Sequence, residues 1–486
     1  MMDVSQAAVE AAQGAGAEYA DARVVRLESE NLNVRNGDVV GASAPEEFGL
    51  GVRVLVNGSW GFSSTPLSQH GSPEEMRARA PEFATRAVNL ARAVGVAQVQ
   101  PVDLGPGEGA VGEYATPCDI DPFSVSLADK LDLLQDAAES MAGADETVSR
   151  EASLGQRREE QWQASSDGAR QHQLLVRCGA GISTTASAHG HVETRSWPAS
   201  FGGSYRAAGW EFIQGLDLAA HGERMRDESV ALCSAEACPA GRRDLILMGN
   251  QLMLQIHESV GHPNELDRVF GHEVDLAGSS FATTEKLNSF RYGSDIVNLV
   301  ADSTVPGGLD TRGFDDECVP SGRWHVVKDG LFTGYHTSRE WAARIGEERS
   351  RGTARAEGFG NPPIIRITNL SLMPGDWQLD KLIADTEDGV LCDTVRMWSI
   401  DQRRLNFQFT TEIGWEIKDG QLGRMLRSPT YQDTTPEFWG RCDAICDGDH
   451  WQLWGVPNCG KGNPMQLAEM SHGAAPARFR AVNFVR

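Results

Sequence analysis

Residues 252–268 read LMLQIHESVGHPNELDR, and their reading decides how the second half of the chain is built. The segment leading into them, LILMGNQLMLQI (245–256), is almost wholly apolar, so a helix here is buried rather than laid on a surface. Its polar end carries His257-Glu258 and then His262, an HExxxH spacing with three residues between the Glu and the second His. In the shorter HExxH pattern the two His lie about 40° apart around a helix axis, on one face. At i and i+5 an ideal α-helix sets them about 140° apart, too far round to act together. A π-turn, with its wider ring, returns i and i+5 to one face. Gly261 gives the backbone room for it, and Pro263 ends or bends the helix. The spacing predicts a distorted helical turn over 257–262.

Working outward, this is one helix among short strands. Leu245–Met248 reads as a strand, and Asp329-Gly330, Asp388-Gly389 and Asp419-Gly420 read as turns beside runs such as RWHVV, LFTGY and GWEI. That is antiparallel β with hairpins, barrel or sandwich. The first half differs. VSQAAVEAAQ (4–13) reads as a helix, and Asn36-Gly37 and Asn57-Gly58 each announce a type I′ hairpin. Ser72-Pro73-Glu74-Glu75 supplies an N-cap, a Pro at N1 and a capping-box Glu for a helix running to about Val94, with Pro81 inside it. Residues 95–122 read as a Pro/Gly-rich surface connection and 124–142 as a helix. Residues 146–212 read as polar, alternating strands with turns at Asp167-Gly168, Gly179-Ala180 and Gly202-Gly203. The expected fold class is α+β. An N-terminal antiparallel sheet with helices occupies 1–215, a connecting helix 216–240, and a mostly antiparallel, barrel-like C-terminal domain with one metal-binding helix 241–486.

Composition narrows the function. The 486 residues carry 44 Lys+Arg against 68 Asp+Glu, a net charge of −24. Nucleic-acid binding runs on Lys/Arg neutralisation of phosphate, so nucleic acid and anionic membrane are excluded as expected partners. No apolar run approaches the roughly 18 residues that span a bilayer. The first residues, MMDVSQAAVEAAQGAG, lack a basic and then apolar leader. Nine scattered cysteines do not form a disulfide framework, and a reducing cytoplasm is the expected compartment.

Burying His and Glu at the end of an apolar helix costs several kcal/mol unless they are paired or bound to a metal. Catalytic zinc takes three protein ligands and a water, so two His leave one place to fill. Nearby candidates are Glu265, Asp267, His272 and Glu273; distant ones are Cys459 in NCGKG and His472 in SHGAAP. Cys442 and Cys446 form a CxxxC that with Cys459 is a weak second zinc candidate, against the plainer reading as buried thiols. Asn264–Arg268 reads either as a set of groups orienting the His Nδ1–H or as a solvated helix end with an Asp–Arg pair. Trp60 reads as a core aromatic.

Several stretches together resemble one family, the TldD/PmbA (TldE) peptidases. EYADARVVR (18–26), VRNGDVV (34–40) and GLGVRVLVNGSWGFSST (49–65) look like its first domain. HESVGHPNELDRVFG (257–271) looks like its metal helix. PIIRITNLSLMPGD (363–376) and NCGKGNP with APARF (458–464, 475–479) look like its last strands. TldE-type subunits lack HExxxH, so the chain resembles the catalytic, TldD-type subunit. The resemblance implies zinc (Zn2+) held by His257, His262 and Cys459, the last through the match at CGK, with Glu258 as general base. It implies cleavage of unfolded or short peptides inside a dimeric chamber, as a homodimer or with a TldE-like partner. Two other functions stay in view: a zinc amidase acting on a small molecule, and a non-catalytic partner subunit.

Overall fold

A computed structural model describes residues 1–97, 100–274 and 278–485. The first half is a nine-stranded sheet. Its main path runs Ser59–Pro66, Glu46–Val56, Tyr19–Arg35, Thr147–Ser165, Arg170–Ala188 and Val111–Ala115. Both Asn-Gly turns form as read. Asn36 and Gly37 have φ of 54° and 92°, Asn57 and Gly58 of 49° and 74°, which closes each hairpin. The capping box at Ser72 and Glu75 is present, starting a helix over Pro73–Gly95.

The two faces of this sheet are unlike. Ala20, Ala22 and Val24 share a core with the helices Met2–Gly14 and Pro73–Gly95. Leu154 and Ile182 pack in a second core with Leu127–Ser140. The opposite face carries Arg23, Gln161, Gln163, Gln171, Gln173 and Arg177, every one buried. The polar alternation of 146–188 therefore belongs to a covered face. Its amides and guanidiniums are met by one segment of the second half. Gln161 donates to Asp316 (2.6 Å), Gln163 to the Asp316 carbonyl (2.8 Å), Gln171 to that of Cys318 (3.1 Å) and Arg177 to that of Leu309 (2.7 Å). These bonds give each of the four buried side chains at least one partner, which lowers the cost of burying it.

In the second half five strands close a barrel. Asn406–Lys418 pairs with Asp388–Ile400, which runs parallel to Gly241–Leu247; that strand pairs with Ala477–Val485, and Thr430–Thr434 returns to Asn406–Lys418. The α+β class and the barrel both stand. The helix Gly249–Ile256 is buried along its whole length, between the barrel and a hairpin formed by Gln452–Lys461 and Gln466–Ala474. Burying its Leu252, Leu254 and Ile256 stabilises the packing by about 1.5–3 kcal/mol each. No helix among the described residues is long and apolar enough to cross a membrane.

Three local expectations are corrected. Gly179-Ala180 is no turn: Arg170–Ala188 runs straight through it, and the chain reverses at His189-Gly190, both at positive φ. Gly179 is needed for space instead, since a Cβ there would lie 2.4 Å from the Tyr205 ring. Asp388-Gly389 opens a barrel strand rather than a turn, with Gly389 close against Thr386. The connection 95–122, apart from residues 98 and 99, which lie outside the described residues, adds the edge strand Val111–Ala115, parallel to Arg170–Ala188.

Candidate metal centre

The helix changes pitch where the spacing demands it. Gly249–Ile256 is α, His257–Gly261 is π, and His262–Asn264 is a 3-10 turn containing Pro263. A π-turn leaves main-chain carbonyls without their usual helical partners, and each needs a substitute. The Tyr292 hydroxyl donates to the Ser259 carbonyl (2.6 Å), the Asn264 amide to that of Val260 (2.7 Å), and the Ser259 hydroxyl to that of Gln255. The Trp439 indole N–H in turn donates to the Ser259 hydroxyl (2.9 Å). Gly261 itself has an ordinary helical φ of −60°. Its use is spatial: a Cβ would lie 2.7 Å from Ile367 Cδ1, and that side chain would have to shift.

This turn sets the His257 and His262 rings 4.7 Å apart, edge to face. The hairpin brings Cys459 to them from 197 residues away: its Sγ lies 3.4 Å from His262 Nε2. One donor atom from each of the three residues lies within 4.8 Å of the others, and all three residues are buried. The group fits a metal. Two donors sharing one tetrahedral zinc, at about 2.3 Å (S) and 2.0–2.1 Å (N), sit about 3.5 Å apart. Burial pushes the Cys459 thiol up, but His262 and Arg366 outweigh it and draw the thiol below its ordinary value.

The other proposed ligands fall elsewhere. Glu265 accepts from His262 Nδ1 (2.8 Å) and also binds Arg268 (3.1 Å) and Lys461 (3.3 Å). Burial opposes its charge, but Lys461, His262 and Arg268 hold it well below the usual carboxylate range. Asp267 pairs with Lys461 at 2.7 Å. Asn264–Arg268 is thus a buried network and no solvated helix end. His472 Nε2 lies 2.8 Å from His257 Nδ1, and His472 is not in the three-residue cluster. Burial pushes His472 far down, which keeps it neutral. His272 packs on Trp341, and Glu273 accepts from the Gly462 N–H. Cys442 and Cys446 are buried free thiols and do not gather with Cys459: among the described residues His257, His262 and Cys459 are the one such cluster of His, Cys, Asp or Glu. Trp60 is half-buried rather than core, donating to Glu340 (3.0 Å) on the wall of a cavity of about 700 Å³.

Glu258 opens on a second cavity, of about 280 Å³, shared with His257, His262 and Cys459. Its carboxylate accepts from Trp398 Nε1 (3.0 Å) and Arg404 Nη1 (2.7 Å). Burial would raise its pKa, but His262, His257, Arg404 and the Trp398 N–H together keep it below the ordinary value, so it is ionised. Trp398, Arg404 and Lys461 escaped the sequence reading. Only the CGK run, which contains Lys461, offered a signal for any of them.

A closed barrel beside a buried triangle of two imidazoles and a thiol, covered by a second α+β sheet domain, defines a class of two-part proteins with a candidate metal centre. Comparison with known proteins gives the class its family. Models of the PmbA/TldA metallopeptidases match in succession: domain 1 over residues 20–91, the central domain over 120–232 and the C-terminal domain over 242–480. The chain belongs to the PmbA/TldD metallopeptidase family. It is 27% identical to a metalloprotease of Methanocaldococcus jannaschii over 437 residues, 88% of this chain and 89% of that one. Over 193 residues, 39% of this chain and 40% of the other, it is 26% identical to a zinc metalloprotease TldD homolog of Saccharolobus solfataricus. The solved structure of TldE from Thermococcus kodakarensis has the same fold, with TM-score 0.69 at 14% identity, covering 99% of this chain and 100% of that one.

Proposed function

We propose that this chain is a TldD-type, zinc-dependent peptidase that hydrolyses peptide bonds of unfolded or short peptides. The observation that carries this is the convergence of two imidazoles and a thiol within 4.8 Å, in one cavity with the Glu258 carboxylate. Imidazole with thiolate suits zinc, and three protein ligands leave one position open. The naming of the Saccharolobus relative as a zinc enzyme supports the same metal. His257, His262 and Cys459 would hold the zinc, which would polarise a scissile carbonyl and acidify a water. Glu258 is the base in this reading, placed to take a proton from an attacking water and return it to the leaving amine. Trp398 and Arg404 fix the carboxylate by one oxygen each, leaving further lone pairs for the water. Phe201, Met253, Leu254, Trp398, Val456 and Pro457 give the cavity an apolar part of its lining, which suits the side chains of a peptide.

A cavity of about 280 Å³ admits side chains of an extended peptide and no folded domain. The division into 1–215, 216–240 and 241–486 goes with this reading: the proposed ligands and base lie in the third part, and Ser200 and Phe201 of the first complete the cavity. The enzyme works in the cytoplasm, in keeping with nine free cysteines, and pairs with itself or with a TldE-like subunit. The test is metal analysis with hydrolysis of an unstructured protein against a panel of small amides. One zinc per chain and cleavage of the protein are expected. Glu258→Gln should keep zinc and lower kcat by roughly 10²- to 10⁴-fold. Cleavage of small amides alone, or full activity in Glu258→Gln, would overturn the reading.

A further inference from the structure

We propose that His472, which is not placed among the ligands, is a positioning residue that dictates which nitrogen of His257 is free to bind a metal. Two hydrogen bonds set the tautomer. His472 Nδ1 lies 2.8 Å from the main-chain carbonyl of Leu370. A carbonyl only accepts, so Nδ1 carries the hydrogen. The other ring nitrogen, Nε2, then has a lone pair, and it lies 2.8 Å from His257 Nδ1. The hydrogen in that contact therefore belongs to His257. A neutral His257 protonated at Nδ1 has a bare Nε2, which is the donor a metal requires. His257, Leu370 and His472 are all buried, so no water competes for either bond. The chain of command starts at a peptide carbonyl on the strand Leu370–Leu372 and ends at His257 Nε2.

The same hairpin makes this arrangement concerted. His472 pairs across it with Trp454, and Cys459 with Ala468. The two hairpin strands thus deliver the thiol and the group that sets the tautomer in one docking event. With a side chain at 472 that cannot accept, His257 Nδ1–H loses its partner, and the ring is free to carry its hydrogen on Nε2, aimed at the metal position.

The inference rests on the zinc site proposed above, and the experiment separates the two. Zinc dissociation constants are measured by chelator competition for the wild type, His472→Leu and His472→Gln. The imidazole nitrogens of protein labelled with 15N-histidine are read by NMR. The Leu variant should bind zinc roughly 10- to 100-fold more weakly, and the Gln variant, whose amide oxygen accepts, should return to within about threefold of wild type. In the metal-free wild type, both His257 and His472 should carry their hydrogen on Nδ1. A wild-type His257 protonated at Nε2, a Leu variant as tight as wild type, or a Gln variant as weak as Leu overturns the role of His472. A wild type with no stoichiometric zinc overturns the metal site itself.

Discussion

His262 leans on a carboxylate that is held in turn by two cations, whereas His257 leans on a neutral imidazole that ends at a main-chain carbonyl. Both supports leave Nε2 bare, yet their energetics differ. The Glu265 side buries two carboxylates against Lys461 and Arg268, so each member depends on the others keeping their charge. The His472 side buries no charge and depends only on direction. The difference teaches that one centre can hold a strongly donating imidazole and a plainly neutral one side by side. It also places the fold's vulnerability on the charged side.

Variants test that asymmetry. The largest effect is expected for Lys461→Met, which leaves the buried Asp267 and Glu265 carboxylates short of a cation. Stability should fall by about 3–5 kcal/mol in denaturant unfolding, and an unfolding midpoint equal to wild type would remove the contrast. Cys459→Ser takes away a donor common to both sides. Its zinc should leave on dialysis, with affinity falling by more than the roughly 10- to 100-fold that a lost outer partner costs; elemental analysis showing full zinc would remove Cys459 as a ligand. Glu265→Gln keeps a hydrogen-bond acceptor for His262 and removes the charge. Zinc affinity should drop within that roughly 10- to 100-fold range, and a change no larger than for His472→Gln would make the two supports equivalent. Trp398→Phe touches neither support and removes one donor from Glu258. A fall in kcat of roughly 2- to 10-fold, about 0.5–1.5 kcal/mol, is expected, with zinc content unchanged.

What could be read in the sequence was what depends on neighbours along the chain. The π-turn followed from the angle between residues 257 and 262, and the hairpins followed from the positive φ that Asn-Gly supplies. Glycine misled where its use was spatial: at Gly179 it admits the Tyr205 ring, at Gly261 the Ile367 side chain. The partners of the centre were hidden for the same reason. Glu265 and His472 were among several candidates for the third ligand, and the structure instead sets each against the Nδ1 of a candidate ligand, a placement that sequence distance does not reveal. Cys459 was one distant candidate among two, and only the resemblance at CGK chose it over His472. Trp398, near the end of the barrel strand Asp388–Ile400, and Arg404, on the connection that follows it, reach Glu258 across a sequence separation of about 140 residues, which only the folded chain closes.

The barrel strand Ala477–Val485 lies later in the chain than both imidazoles and the thiol. It pairs with Gly241–Leu247, which feeds directly into the helix bearing His257. During synthesis, His257 and His262 emerge long before Cys459 and this strand exist. Cys459 is made last of the three donors, so the cluster of His257, His262 and Cys459 cannot assemble on a chain that ends before residue 459. The candidate centre is therefore among the last features of the fold to be completed.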